Sequence, residues 1–196
     1  MAKMMGPRFK MCRSLGVNVV GHPKAMDRAK QGTSRDARKL SEYGVQLLEK
    51  QRLRSYYGVL EKQFVRYVEK AFRAGSNPGP IILTSLEMRL DNIVYRMGFA
   101  RSTRQARQMV NHGHFLINGQ KVDRPSYALK EGDTITLKEK SRESKIFAEN
   151  MAGNNFALPY LEMDIDNLTG TIIRKPTREE LPIEINEQLI IEFYSR

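Results

Sequence analysis

The stretch "HGHFLINGQKVDRPSY", beginning at His112, carries two of the chain's three histidines with one glycine between them. Imidazoles so close together are the side chains of a zinc site or of an acid/base pair. Zinc takes four ligands in a tetrahedron, and no third His, Cys or carboxylate cluster lies near His112 and His114 in sequence. Cys12 is the only cysteine, which excludes an internal disulfide and leaves a metal site short of sulfur. Catalysis has no better support, because the chain holds no Gly-rich phosphate loop, no G-x-S-x-G elbow and no plausible Cys/His pairing. Asp91 and Asp123 are the available acids, but Asp91 lies on a helical pattern amid Arg89 and Arg96, where an ion pair accounts for it. The sequence predicts no catalytic residue, no metal and no cofactor.

Charge points to a different chemistry. Thirty-three Lys and Arg against 22 Asp and Glu give a net charge of +11, and the excess is graded along the chain. Residues 1–80 carry a net +11, residues 81–140 +4 and the remainder −4. A basic surface kept for solubility explains the total but not the gradient; a polyanion partner explains both, and counterion release makes nucleic acid the leading one. The chain contains no apolar run near the roughly 20 residues of a membrane span, and its basic N-terminus lacks the apolar core of a secretory signal, so the expected compartment is the cytosol.

The cations fall into two helical patterns. In "STRQARQMVNHG", Ala106, Met109 and Val110 form an inward stripe, while Arg101, Arg104, Arg107 and Gln108 lie away from it. Arg forks match phosphate oxygens, and a cap at Ser102, with Gln105 three residues on, adds oriented backbone N–H groups to an anion site. His112 stands at the helix C-terminus, where a cation is favoured; for it a plain capping role competes with RNA contact, and His114 and Tyr127 offer flat surfaces for a base. Upstream, Leu53, Tyr57, Leu60, Phe64, Val68 and Ala71 recur at helical spacing from Ser41 to about Arg73, and Lys62, Arg66, Lys70 and Arg73 line another face. Such a ridge is usually a solvated face; here it lies in the segment that holds the whole charge excess.

These faces need elements to hold them. The first forty residues, with weak apolar periodicity, predict an extended basic arm that orders against its partner and ends in a helical turn near "SRDARKL". "GSNPGP", from Gly75, ends the long helix as a linker. Thr84 with Glu87 predicts a capping box opening a helix that Gly98 closes, with Leu86, Leu90, Ile93, Val94 and Met97 inward. Gly113 closes the next helix; Phe115 to Ile117 read as a strand, Asn118-Gly119 as a hairpin turn, and "TITL" after Gly132-Asp133 as a further strand. "KSRESKIF" predicts a short helix, while "GTIIRKP" and "EQLIIEFYSR" predict strands in an acidic tail that packs on protein.

The run "RLDNIVYRMGFARSTRQARQMVNHGHFLINGQKVDRPSYALKEGDTITL" closely resembles the RNA-binding module named after the small-subunit ribosomal protein S4 family, in its helix pair, "VNHGHFLINGQKV", "PSY" and "GDTI". That module also occurs in pseudouridine synthases and tyrosyl-tRNA synthetases. "GPRFKMCRSLG", "EKQRLRSYYGVLEKQF", "KSRESKIF" and "LIIEFYSR" extend the resemblance to the ribosomal family over nearly the whole chain. The resemblance implies an α+β fold: a basic arm over 1–40, a helical domain over 41–80 completed by the C-terminal segment, an inserted S4-type module over 84–140 made of two short helices and a small antiparallel sheet, and a strand-containing segment over 141–196 packing on the protein body.

It implies a structural constituent of the small ribosomal subunit. Such a protein binds a multi-helix junction in the 5′ domain of 16S rRNA, nucleates assembly of the subunit body and contacts ribosomal protein S5 in support of decoding accuracy. Some members repress their own messenger RNA. The implied RNA-binding residues are Arg8, Lys10, Arg13, Arg52, Arg54, Lys62, Arg66, Lys70, Arg89, Arg101, Ser102, Arg104, Arg107, Gln108, His112 and His114, in a cytoplasmic ribosome, without a membrane and without an obligate homo-oligomer. Many members bind zinc through four N-terminal cysteines, whereas this arm keeps only Cys12. The competing reading is an RNA-modifying enzyme, such as a pseudouridine synthase carrying the module, which needs a separate catalytic domain.

Overall fold

A computed structural model of the chain describes Met4 and residues 6–27, 40–151 and 158–195. It divides into two units: Met1–Ile82 with Ile183–Arg196, and Leu83–Pro182. Among the described residues no helix is long and apolar enough to cross a membrane.

In the first unit the described part of the arm is folded. Helix α1 (Arg8–Leu15) ends at Gly16, whose φ of +68° suits glycine, and a 3-10 turn follows at Pro23–Ala25. Cys12, Leu15, Val19 and Ala25 form a small buried core against which Phe9, Met11, Leu48 and Tyr56 pack. The expectation of an extended arm is therefore corrected: partners such as Leu48 and Tyr56, distant in sequence, supply the apolar surface that local periodicity lacks. The helical turn expected near "SRDARKL" lies outside the described residues.

The single helix expected from Ser41 to Arg73 is two, α2 (Glu42–Tyr56) and α3 (Glu61–Phe72). Gly58, at φ +61°, turns the chain between them, and Val59 N–H donates to the Arg54 carbonyl. The apolar stripe survives the break: Leu53, Tyr57, Phe64, Val68 and Ala71 are all buried, with Leu60 half-buried at the start of α3. Ser41 caps α2 by accepting from the Gly44 N–H.

Helix α4 (Pro78–Glu87) starts where proline fits the first turn, with Asn77 Oδ1 accepting from the Gly79 N–H. It runs through Thr84, so the capping box expected at Thr84 and Glu87 does not form. The buried Ile82, Leu83 and Leu86 carry the helix past that point, and Glu87 turns to an ion pair.

In the second unit α5 (Leu90–Arg96) stops at Gly98 and α6 (Thr103–Asn111) at Gly113, both glycines having positive φ. Strand β1 (Phe115–Ile117) turns through Asn118 (φ +49°) and Gly119 (φ +79°) into β2 (Gln120–Lys121), the mirror-image turn that an Asn-Gly pair favours. Strand β3 (Thr134–Leu137) follows, then the short helices α7 (Glu139–Arg142) and α8 (Lys145–Met151). Strands β4 (Leu161–Asp164) and β5 (Thr169–Ile172) extend the sheet beyond the module. The order is β2-β1-β3-β5-β4, antiparallel throughout, with Phe115 opposite Leu137 and Ile135 opposite Gly170. Phe99, Phe115 and Phe147 meet edge to face in the core beneath it.

Back in the first unit, "EQLIIEFYSR", expected as a strand, is helix α9 (Glu187–Tyr194), capped by Asn186 Oδ1 accepting from the Gln188 N–H. Ile190 alone is fully buried, and Leu189, Ile191 and Phe193 are half-buried on the flanks, so the apparent alternation was one helix face seen in a short window.

At Gly170 the sheet meets α5 closely: a β-carbon there would stand 2.5 Å from Met97 Cε and 2.7 Å from Met163 Sδ. Gly170→Ala is expected to lower unfolding stability by about 1 kcal/mol, the lower end for overpacking because methionine adapts. Urea unfolding checks it.

Candidate nucleic-acid interface

Helix α6 is held in place by its apolar side. Ala106, Met109 and Val110 are buried, and Arg101, Arg104, Gln108 and His112 follow one another at three- and four-residue steps on the exposed side. Ser102 Oγ accepts from the Gln105 N–H at 3.2 Å, and Gln105 Oε1 reaches back to the Arg101 N–H at 2.8 Å. Ser102 thus caps the helix, and those two backbone donors are taken by side chains instead of facing an anion. The Arg101 guanidinium lies 3.8 Å from Glu149, but both groups are about two-thirds exposed, so the pair is weak and yields to a stronger anion.

Two arginines assigned to this face are placed otherwise. Arg89 is 1% exposed, its guanidinium donating to both oxygens of Asp91 at 3.0 and 2.7 Å, so its implied RNA contact is corrected to an internal one. Arg107 leans inward, 3.7 Å from the same carboxylate. Asp91 is therefore shared by Arg89 and Arg107, while Arg96 pairs with Glu87.

In the first unit Lys62, Arg66, Lys70 and Arg73 are exposed along α3 and its end, opposite Phe64, Val68 and Ala71. Arg8 and Lys10 are exposed on α1, and Arg13 is half-buried. Arg52 and Arg54 are committed within the protein: Arg52 donates to the Leu15 carbonyl and to Glu49, and Arg54 to Gln51, with Glu61 at 3.4 Å. The candidate interface therefore consists, unit by unit, of exposed helical rows of cations above apolar cores. Among the described residues no group of three His, Cys, Asp or Glu side chains is placed to hold a metal ion.

Residues 88–135 match the family model described as the S4 domain, and residues 3–87 match that of the ribosomal protein S4/S9 N-terminal domain. The chain is 55% identical over 200 residues to small ribosomal subunit protein uS4 of Finegoldia magna, with 100% of both chains covered. The uS4 family accounts for this chain from end to end. It belongs to that family. Coverage is likewise complete for small ribosomal subunit protein uS4B of Clostridium acetobutylicum, 50% identical over 196 residues, and for small ribosomal subunit protein uS4 of Geobacillus sp. strain WCH70, 49% identical over 201. The two family models together cover residues 3–135 without a break, the first of them along the chain described as ribosomal.

In this uS4 chain the histidines that raised the question of a metal have separate duties. His112 caps α6 from the exposed side. His114 is half-buried, its Nδ1 2.9 Å from Ser141 Oγ and its ring 5.5 Å from that of Phe147 in a T-shaped contact, so it joins β1 to α7 and α8. Burial, then the neighbouring charges of His112 and Lys138, pull the His114 pKa below its ordinary 6.5. The folded state therefore binds this proton less readily than the unfolded chain, and the stability held by neutral His114 is lost as pH falls from about 6.5 toward the lowered value. His114→Gln is expected to flatten that part of the stability-against-pH curve, read by denaturant unfolding at successive pH values.

Lys121 was missed by sequence reasoning. Its side chain lies across Gly113, where a β-carbon would stand 2.6 Å from Lys121 Cε, and so brings a further cation beside the His112 end of α6. The signal was present: the Asn-Gly turn places Lys121 opposite Leu116. Tyr127 is half-buried with the Arg124 guanidinium 5.7 Å from its ring, so it is already covered on one side.

Proposed function

We propose that this uS4 family member is a structural constituent of the small ribosomal subunit in the cytoplasmic ribosome, and a primary binder of 16S rRNA. It binds a multi-helix junction of the 5′ domain, nucleates assembly of the subunit body and, with ribosomal protein S5, supports translational accuracy; repression of its own messenger RNA belongs to the same reading. The observation that carries this is the sorting of the arginines and lysines. Arg89 and Arg96 are buried in ion pairs that fix the fold, while Arg101, Arg104, Lys62, Arg66 and Lys70 stand exposed in rows on helices whose other faces are core.

Exposed cations on rigid helices favour phosphate contacts, and junction geometry then supplies specificity, because A-form RNA is read largely through backbone and 2′-hydroxyl groups. The test is binding of the full chain to the 5′ domain across a salt series, with an unrelated structured RNA as competitor. Binding that resists the competitor, with a log–log salt slope equal to several phosphates, supports the reading; equal affinity for both RNAs overturns it.

A further inference from the structure

We infer that Glu49, a buried acid in a strongly basic protein, is a positioning residue for RNA binding: through Arg52 it seats the basic helix α1 on α2. The inference rests on the reading of Arg8, Lys10 and Arg13 as RNA contacts.

Helix α1 is poorly supported on its own. It has eight residues, no side chain caps its N-terminus at Pro7, and among the described residues the fully buried core beneath it is the small one of Cys12, Leu15, Val19 and Ala25. A helix that short is marginal in water without external support. The support comes from α2. Arg52 Nε donates to the Leu15 carbonyl at 2.8 Å, at the end of α1 where the last carbonyls have no partner within the helix and a cation is favoured. A second guanidinium nitrogen donates to Glu49 Oε2 at 2.9 Å. The third lies flat against the turn that ends α1, 3.4 Å from where a β-carbon on Gly16 would be. Arg52, one of the implied RNA contacts, is thus spent on the protein.

Glu49 fixes that arrangement from below. It is 7% exposed, and while one oxygen holds Arg52, the other accepts the Asn186 N–H at 2.9 Å, at the start of α9. One carboxylate therefore fastens both an N-terminal and a C-terminal element to α2. An amide has a single acceptor oxygen and puts an NH2 against donors, so Glu49→Gln can keep one of these bonds but not both.

This assignment predicts a sign opposite to simple electrostatics. Removing an acid from a protein of net charge +11 ought to tighten its hold on a polyanion. Glu49→Gln in the full chain is instead expected to weaken binding to the 5′-domain transcript of 16S rRNA by about fivefold or more. The log–log salt slope should shrink by about 1 to 3, the share of the phosphates that α1 reaches. Amide exchange in α1 should rise while that in α3 stays as it was. Arg52→Lys, which keeps the charge and loses the fork, should behave alike, and it carries the test if Glu49→Gln unfolds α3 as well.

Either variant binding as tightly as wild type with an unaltered slope overturns the inference. A third protein, with Arg8, Lys10 and Arg13 all changed to alanine, separates the two ideas. If its slope equals wild type, the arm makes no RNA contact, and unchanged α1 exchange in Arg52→Lys then decides against the seating role by itself.

Discussion

Glu87→Ala is expected to destabilise the second unit by about 3–5 kcal/mol, the range for stranding one member of a buried ion pair. Glu87 is 0% exposed; its Oε1 accepts from Arg96 Nε at 2.6 Å and from the Tyr160 hydroxyl at 2.9 Å, and its Oε2 accepts from a second Arg96 nitrogen at 3.3 Å. Alanine removes the acceptors and leaves a guanidinium and a phenol in a core that water does not reach. Replacing both Glu87 and Arg96 by leucine should recover most of the loss, because the stranded charge leaves with its partner. Urea unfolding of the two variants checks both statements, and a loss of under about 1 kcal/mol for Glu87→Ala would mean that the pair is not desolvated.

The largest effect on binding belongs to α3. Changing Lys62, Arg66 and Lys70 together to alanine should reduce the log–log salt slope of 5′-domain binding by about 2.7, at about 0.9 per phosphate, and weaken affinity more than tenfold near physiological salt. All three are exposed opposite the buried Phe64 and Val68, so the unfolding midpoint should move by no more than surface substitutions ordinarily do. A solvated face with no partner predicts an unchanged slope. Arg89→Ala supplies the contrast: its guanidinium serves Asp91 inside the fold, so the change should appear first as lost stability.

Positions set by local rules were legible. The Asn118-Gly119 hairpin, the stops at Gly98 and Gly113, the Ser102 cap and the stripe of Ala106, Met109 and Val110 each depend on a few neighbouring residues. What escaped depends on partners far along the chain. Helix α1 exists because Leu48 and Tyr56 cover Cys12 and Leu15; α9 was misread because an eight-residue helix on one face mimics alternation; and β4 went unread, although "GTIIRKP" marked β5, the strand it pairs with.

The candidate site divides along the same line. Periodicity finds which arginines leave a helix stripe, as at Arg101 and Arg104, but not which side chains turn back to a carboxylate inside the fold, whether near in sequence, as Glu49 is to Arg52, or far, as Asp91 is to Arg107. The ion pair read at Asp91 forms with Arg89, whereas Arg52 and Arg107, which periodicity leaves on the outside, are held by Glu49 and by that same Asp91.

The central claim, that the exposed cations of the helical rows meet RNA while the acidic C-terminal part stays clear of it, is tested most directly by lysine acylation. The modification rate of each lysine in the full chain is measured by mass spectrometry with and without the 5′ domain of 16S rRNA. Lys10, Lys62 and Lys70 should become slow to react in the complex, while Lys145 and Lys175, also exposed in the free protein, should react as before. Protection spread evenly over all five, or absent from Lys62 and Lys70, would contradict it.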